Sequence, residues 1–160
     1  MLIRPFMPAD APALAILFHA SVHHGANWVY SREQLAAWSP TPPNPENYIQ
    51  RAADRRVFLV AVDELGEPLA YGDLAANGHV DHLYCRPDRI GTGVASALYD
   101  DLERAALEQG LAALSADASE AARPLFERKG FKVDVRQEIT VSAIAIHNYR
   151  MTKRLASLLL

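Results

Sequence analysis

Cysteine is almost absent from this sequence, which has a single one, Cys85, among 160 residues. One cysteine cannot form a disulfide within the chain, and the cysteine spacing of zinc sites is missing, so we predict no metal. Positive charge is not in excess either, because 16 lysines and arginines against 19 aspartates and glutamates give a formal net charge of −3. This balance argues against bulk attraction to nucleic acid or to anionic membranes.

Long hydrophobic runs are also missing. The last apolar run, residues 155–160, is too short to cross a bilayer. The first ten residues, MLIRPFMPAD, carry charges and two prolines, which is unlike a signal peptide. Half of the residues are hydrophobic, enough for one core. We therefore expect a single domain over residues 1–160 in the cytoplasm, with neither membrane nor nucleic acid as a partner.

Apolar patterns with helical and strand periods alternate along the chain, which predicts a mixed α/β fold. Asn77-Gly78 is the strongest hairpin signal, and Gly110 is suited to end a helix. Asp10 and Ser31 are the predicted caps of the first two helices. Strands are predicted at 2–6, 57–62, 69–76, 79–85, 111–116 and, as a final antiparallel pair, 131–141 and 143–151; the later helices are predicted at 46–53, directly after Gly93, and at 119–129.

The segment PDRIGTGVASALY, residues 87–99, places Gly91 and Gly93 directly before an amphipathic helix. Such a turn leaves backbone N–H groups free at the positive end of the helix, where they can bind phosphate. The lysine of a P-loop is missing, and Ser96 stands where a dinucleotide fingerprint has its third glycine. On these residues alone, a phosphate cradle, a dinucleotide-binding dehydrogenase and a plain tight turn all stay open.

Four blocks in this order resemble the GNAT superfamily of acyl-CoA-dependent N-acyltransferases over nearly the whole chain. LIRPFMPADAPALAILF is similar to the opening strand and helix of that family, and VDHLYCRPDRIGTGVASALYDDLERAA is similar to its coenzyme A motif. SEAARPLFERKGF resembles the second signature, and HNYRMTKRL resembles the final strand, especially in small bacterial members of unassigned substrate. The order and spacing of the blocks are specific, whereas any single block is not.

The resemblance implies a mostly antiparallel central sheet flanked by helices. It also implies a cleft in which acetyl-CoA, as co-substrate, lies where strand 79–85 splays from strand 111–116. The pyrophosphate is expected on the amides of the glycine segment and the pantetheine along strand 79–85. The residues implied to bind the coenzyme are Leu83, Tyr84, Cys85, Arg89, Gly91, Thr92, Gly93, Val94, Ala95, Ser96, Ser119 and Phe126.

Two positions depart from the family pattern. Ile90 stands where the coenzyme A motif has glutamine or arginine, and Arg89 lies one residue early. In the second signature Ser119 replaces asparagine, and Phe126 replaces the tyrosine that commonly protonates the departing thiolate. These departures motivate an alternative to catalysis, a regulatory domain that binds acyl-CoA without turning it over.

The main hypothesis is an N-acetyltransferase that moves an acetyl group from acetyl-CoA to a primary amine by direct attack. The acceptor is expected to be a small-molecule or peptide amine, and a homodimer is common in the family. An alkyl amine is mostly protonated at pH 7, so a base is needed. Asp81 and His79 are the candidate bases, because alternation predicts that they share one strand face with Leu83 and Cys85, whereas His82 faces the other way.

Overall fold

The computed structural model describes residues 1–156 and has a single seven-stranded sheet with helices on both faces. The strands are β1 (Leu2–Pro5), β2 (Val57–Val62), β3 (Pro68–Leu74), β4 (His79–Cys85), β5 (Ala113–Ser119), β6 (Lys132–Val141) and β7 (Ile144–Arg154). The helices are α1 (Ala11–Gly25), α2 (Arg32–Trp38), α3 (Glu46–Ala52), α4 (Val94–Glu108) and α5 (Arg123–Arg128), with short 3₁₀ helices at Pro8–Asp10 and Pro87–Arg89.

The sheet is antiparallel except at one place. Its order is β1-β2-β3-β4-β5-β7-β6, and β4 and β5 are the parallel neighbours. These two strands pair only at His79 with Ser115 and at Val80 with Ala116, after which they diverge. The mostly antiparallel sheet and the splay between strands 79–85 and 111–116 confirm the predicted fold class.

The two faces of the sheet are covered by different helices. On one side, here called the α4 face, Leu98 and Leu102 of α4 are fully buried against the sheet. On the other side, the α1 face, Leu14 and Leu17 of α1 pack with Tyr71 of β3 and with α3. The continuous apolar strand at 57–62 contributes apolar side chains to the core on both faces of the sheet, as expected for a buried central strand.

Local signals set several element boundaries. Strands β2 and β4 form at the predicted bounds, and the final antiparallel pair forms as predicted except that β7 continues to Arg154, three residues past its predicted end. The Ser31 hydroxyl accepts a hydrogen bond from the Gln34 amide at 3.1 Å, which completes the predicted capping box. Gly110 has a φ of +75° and follows the end of α4, as predicted.

Other boundaries differ because tertiary contacts override the local pattern. The predicted helix 119–129 is shorter, since Ser119 pairs with Asn148 as the last residue of β5 and α5 begins only at Arg123. The strand predicted at 69–76 ends at Leu74. The Asp10 side chain does not cap α1, because its carboxylate accepts hydrogen bonds from Arg4 at 2.8 and 2.9 Å.

Strand β4 contains a bulge at Asp81. Asp73 pairs with His82 and Leu74 with Val80, so Asp81 has no partner of its own on β3. Because of this extra residue, Val80 and Leu83, three positions apart, both pack against the core on the α4 face. The prediction that His79, Asp81, Leu83 and Cys85 share one face is therefore wrong, since strict alternation ends at the bulge.

The bulge is held by a buried ion network. The Asp73 side chain is fully buried; its Oδ2 accepts from Arg51 at 2.7 Å and from Arg56 at 3.0 Å, and its Oδ1 accepts from the His82 amide at 2.8 Å. The same two arginines bind Asp81 at 2.8 and 3.3 Å. Asp73 thus ties α3 and the segment before β2 to the bulged strand.

We expect Asp73→Ala to lower the free energy of unfolding by roughly 1–3 kcal/mol, because it leaves a backbone N–H and two guanidinium groups without their shared acceptor. Urea denaturation measures the change. Asp54→Ala is the control, because Asp54 contacts Arg56 at the exposed edge of the same network, and it should cost much less. Equal losses in the two variants would contradict the anchoring role of Asp73.

Candidate active site

A cleft of about 880 Å³ opens where β4 and β5 diverge. Its walls come from both strands, from the segment between β4 and α4, from the end of α1 with the loop that follows, from α5, and from β7. Cys85 lines this cleft, but its thiol is buried, and burial raises its pKa to about 11. Cys85 is therefore unsuited to act as a nucleophilic thiolate.

The glycine segment forms one wall. Gly91 and Gly93 have φ of +80° and +89°, and no atom lies within 4 Å of a Cβ built at either residue, so the backbone conformation and not crowding requires glycine. The helical ladder of α4 begins with the Ala97 amide donating to the Gly93 carbonyl at 3.0 Å. The amides of residues 94–96 precede that bond and have no helical acceptor. This arrangement suits an anion.

Two arginines add positive charge to the cleft. Arg89 and Arg128 both line it, and neither forms an ion pair with any residue from 1 to 156. Ile90 packs against the end of α1, where a Cβ on Gly25 would lie only 2.9 Å from the Ile90 Cδ1 atom. The residue that replaces the family's glutamine or arginine therefore serves as a wall of the cleft.

The structure brings most of the predicted coenzyme residues to this cleft, although their roles stay predictions. Thr92 and Val94 do not line it: the Thr92 hydroxyl donates to the Arg89 carbonyl, and Val94 is buried in the core with Cys85. The residues that do line it are Leu83, Tyr84, Cys85, Arg89, Gly91, Gly93, Ala95, Ser96, Ser119 and Phe126.

The two departures in the second signature have local explanations. The Ser119 hydroxyl accepts from the Ala122 amide at 3.1 Å and so supports the turn between β5 and α5. Phe126 is buried, with its ring edge-on to Phe131 at 5.0 Å and to Tyr99 at 6.2 Å between centroids. Phe126 thus joins the core while one side of it borders the cleft.

The two predicted bases are already engaged. Asp81 lines the cleft. Burial alone would raise its pKa, but the hydrogen bond and charge of Arg51 outweigh burial and hold the pKa below its usual range. His79 lies beside the cleft, with Nδ1 2.8 Å from the Ser115 Oγ and Nε2 3.5 Å from the Asp117 Oδ2. A paired carboxylate with a lowered pKa is a weaker base.

A histidine–carboxylate pair that the sequence analysis did not single out lies on β7 and at the end of β5. His147 lines the cleft, and its Nε2 lies 3.3 Å from the Glu120 Oε1 atom. The same oxygen accepts from the Tyr149 hydroxyl at 3.0 Å, and the Tyr30 hydroxyl donates to the His147 carbonyl at 2.8 Å. The His147 Nδ1 makes no hydrogen bond with residues 1–156. The pair was missed because 27 residues separate its members, and only the register of β5 and β7 brings them together.

The described part of the chain has neither a metal-binding cluster nor a membrane-spanning helix. Within residues 1–156, no group of three or more histidine, cysteine, aspartate or glutamate side chains is arranged to hold a metal ion. No helix in that range has the length and apolar character needed to cross a membrane.

Comparison with known proteins agrees with this geometry. A family model described as an acetyltransferase (GNAT) domain matches residues 27–153. An uncharacterised N-acetyltransferase of Escherichia coli, YafP, is 28% identical over 149 residues, which is 93% of each chain. A GCN5-related N-acetyltransferase of Rhodopseudomonas palustris has 31% identity and a TM-score of 0.87, covering 96% of this chain and 95% of its own.

A third relative is more distant in sequence. The phosphinothricin acetyltransferase of Sinorhizobium meliloti, solved in complex with acetyl-CoA, shares 20% identity and a TM-score of 0.77 over 97% of this chain and 88% of its own. The fold, the splayed strands and the amide-rich start of α4 define an acyltransferase of the GNAT type. The chain belongs to the GNAT family of acetyltransferases.

The enclosed His82 gives the folded protein a dependence on pH. Burial lowers the pKa of His82 to about 4, with the charge of Arg51 acting in the same direction and those of Asp73 and Asp81 opposing it. Between pH 6.5 and 4 the unfolded chain binds a proton at this residue that the folded chain does not bind. The free energy of unfolding should therefore fall as the pH falls through that window, by up to about 3 kcal/mol.

Urea denaturation of the wild type and of His82→Gln at several pH values measures this contribution. Above pH 6.5 the two proteins should differ by a constant amount. Between pH 6.5 and 4 the wild type should lose stability more steeply than the variant. Parallel curves throughout the window would show that His82 does not carry this dependence.

Proposed function

We propose that the protein transfers an acetyl group from acetyl-CoA to a primary amine by direct attack of the amine on the thioester. The observation that carries this proposal is the continuity of one cleft between the diverging strands β4 and β5 and the exposed amides at the start of α4. The complex of the Sinorhizobium meliloti relative with acetyl-CoA supports the choice of co-substrate.

The groups in the cleft fit the chemistry of acetyl-CoA. Beyond Val80 and Ala116, the edges of β4 and β5 that face each other have no partner strand among residues 1–156. Unpaired backbone N–H and C=O groups in a cleft need hydrogen bonds, and the two amides of a pantetheine arm can supply them. The amides of residues 94–96, with Arg89 and Arg128 nearby in the lining, suit the pyrophosphate.

The reaction then needs a neutral amine and a stabilised oxyanion. In this scheme a backbone N–H of β4 beyond the bulge donates to the carbonyl oxygen as the tetrahedral intermediate forms. An alkyl amine with a pKa of about 10.4 is almost entirely protonated at pH 7, and supplying the neutral form costs about 4–5 kcal/mol. The thiol, with a pKa of about 8.5, leaves as a thiolate with less help, so Phe126 in place of tyrosine does not prevent turnover.

Asp81 and His79 stay candidate bases, but His147 is the stronger one. Asp81 is bound to two guanidinium groups, and both ring nitrogens of His79 have partners. His147 lines the cleft, has Glu120 to orient its ring, and keeps Nδ1 available for a proton. In this scheme Asp81 has a positioning role, because it holds the bulge and hence the donor N–H of β4.

The proposed activity is tested by mixing the protein with acetyl-CoA and a panel of amines and measuring the release of free thiol. Calorimetry with acetyl-CoA provides a reading that does not depend on turnover. Thiol release that requires both protein and amine is the expected result. Saturable acetyl-CoA binding without thiol release on any amine would favour the alternative of a non-catalytic acyl-CoA-binding domain.

We expect His147→Gln to lower kcat/KM by roughly 10²–10⁴, the usual range for the loss of a general base. The loss should shrink at high pH, where the amine is neutral without help. Asp81→Asn should lower activity and stability without this alkaline rescue, because it weakens the network around the bulge. pH profiles of kcat/KM for both variants and for His79→Gln measure the difference. Rescue in Asp81→Asn or His79→Gln, and not in His147→Gln, would reassign the base.

Charge next to the exposed amides should control coenzyme affinity. We expect Thr92→Glu to weaken acetyl-CoA binding by roughly tenfold or more, because a carboxylate between Gly91 and Gly93 repels a bound pyrophosphate. Thr92→Gln is the matched control, since it loses the same hydroxyl and has nearly the same size. Calorimetry at low and high salt measures the acetyl-CoA affinity of both variants, and the difference between the two affinities should be smaller at high salt. Equal affinities would remove the phosphate site from the glycine segment.

A further inference from the structure

Both tryptophans of the chain line the cleft. Trp28 follows α1 and is 63% exposed, a large fraction for so apolar a side chain. Its Nε1 donates to the Gly25 carbonyl at 3.1 Å, which fixes the edge of the indole while leaving much of the ring open. An exposed aromatic ring that is held in place beside a cleft is typical of a binding surface.

The cleft continues from Trp28 onto further apolar groups. Trp38 of α2 lies 5.7 Å from Tyr30 and 6.5 Å from Tyr84, measured between ring centroids. Ile146 of β7 is buried in the same apolar cluster, and Val141 at the end of β6 packs against it. These side chains form what we call the aromatic wall: Trp28, Trp38, Tyr84, Val141 and Ile146, all of which line the cleft.

The carboxylates of the cleft are already neutralised. Within residues 1–156, Asp81 and Asp117 are the acidic side chains that line it. Asp81 is bound by Arg51 and Arg56. Asp117 accepts from Arg150 at 3.2 Å and from Gln137 at 3.0 Å. A polyamine or an aminoglycoside needs several uncompensated negative charges, and this lining offers it none.

We propose that the acceptor is a monoamine with an aromatic body, such as an arylalkylamine, whose ring packs on the aromatic wall while its amino group reaches the thioester. This inference rests on the proposed function. Ring-on-ring packing contributes binding energy beyond the burial of apolar area, which is enough to order a series of amines. The neutralised carboxylates select against polycations by offering no attraction for the extra charges.

The first experiment compares 2-phenylethylamine, butylamine and spermidine as acceptors by thiol release. We expect kcat/KM for 2-phenylethylamine to exceed the values for butylamine and spermidine by at least roughly tenfold, mainly through KM, because the ring buries apolar area against aromatic side chains. Because both tryptophans lie in the cleft, the same three amines can be titrated against intrinsic fluorescence in the presence of coenzyme A. We expect the quenching to saturate at a lower concentration of 2-phenylethylamine than of butylamine or spermidine.

Substitutions of Trp28 then test whether the aromatic wall causes the preference for 2-phenylethylamine. Trp28→Ala should lower the ratio of kcat/KM for 2-phenylethylamine to that for butylamine at least severalfold, and Trp28→Phe should retain most of that ratio. Leu65→Ala is the matched control, because Leu65 is an 87% exposed apolar residue in the turn between β2 and β3, outside the cleft. It should leave the ratio unchanged. Because Trp28 is exposed, its replacement is not expected to unfold the protein.

The outcomes separate this inference from the proposed function. Thiol release that is as fast with butylamine or spermidine as with 2-phenylethylamine would overturn the acceptor class and leave the acetyltransferase activity standing. Saturable quenching by 2-phenylethylamine without thiol release from any amine would support the aromatic site and contradict the proposed activity. A Trp28→Ala variant that behaves like Leu65→Ala would overturn the role of the aromatic wall.

Discussion

The early end of the pairing between β4 and β5 is the constraint on which the site depends. Two residue pairs join these parallel strands, and the next residues separate. A sheet interior that loses its ladder has unpaired backbone groups, and these persist only where water or a ligand satisfies them. The same divergence opens the cleft, exposes the backbone of β4 and leaves the start of α4 free of a covering strand. One local break in the sheet thus supplies the space, the hydrogen-bonding edges and the exposed amides of the cleft together.

The buried Asp73 holds the bulged strand β4 in place beside this break in the sheet. Its carboxylate binds two arginines and the amide of His82, and it does so from the strand that pairs with β4. A buried carboxylate is costly unless its partners are complete, and here the partners come from α3 and from the segment before β2. The bulge at Asp81 is therefore specified by residues that are distant in sequence, and this is why Asp81 is presented to arginines instead of standing free in the cleft.

Local sequence determined the elements that have strong local signals. The apolar run at 57–62, the hairpin at Asn77-Gly78 and the glycine turn before α4 all form where the sequence predicts them, because turn chemistry and burial act within a few residues. The features that escaped prediction depend on long-range contacts. The helix predicted from Ser119 is shortened by pairing with β7, and the histidine–glutamate pair at 147 and 120 exists only because β5 and β7 lie side by side.

The same ion network and strand pairing determine which acidic side chains of the cleft are already neutralised. Once Asp81 is committed to holding the bulge and Asp117 is bound to Arg150 and Gln137, neither carboxylate can both attract a cation and accept its proton. In the mechanism that we propose, the apolar surface formed by α1, α2 and the ends of β6 and β7 recognises the acceptor, and a group outside β4 takes the proton. His147 meets that second requirement because Glu120, Tyr149 and Tyr30 fix its ring and backbone without occupying its remaining nitrogen. The proposed division between an aromatic wall that binds the acceptor and a histidine that takes its proton thus follows from the structural use of Asp81, the acidic residue of β4.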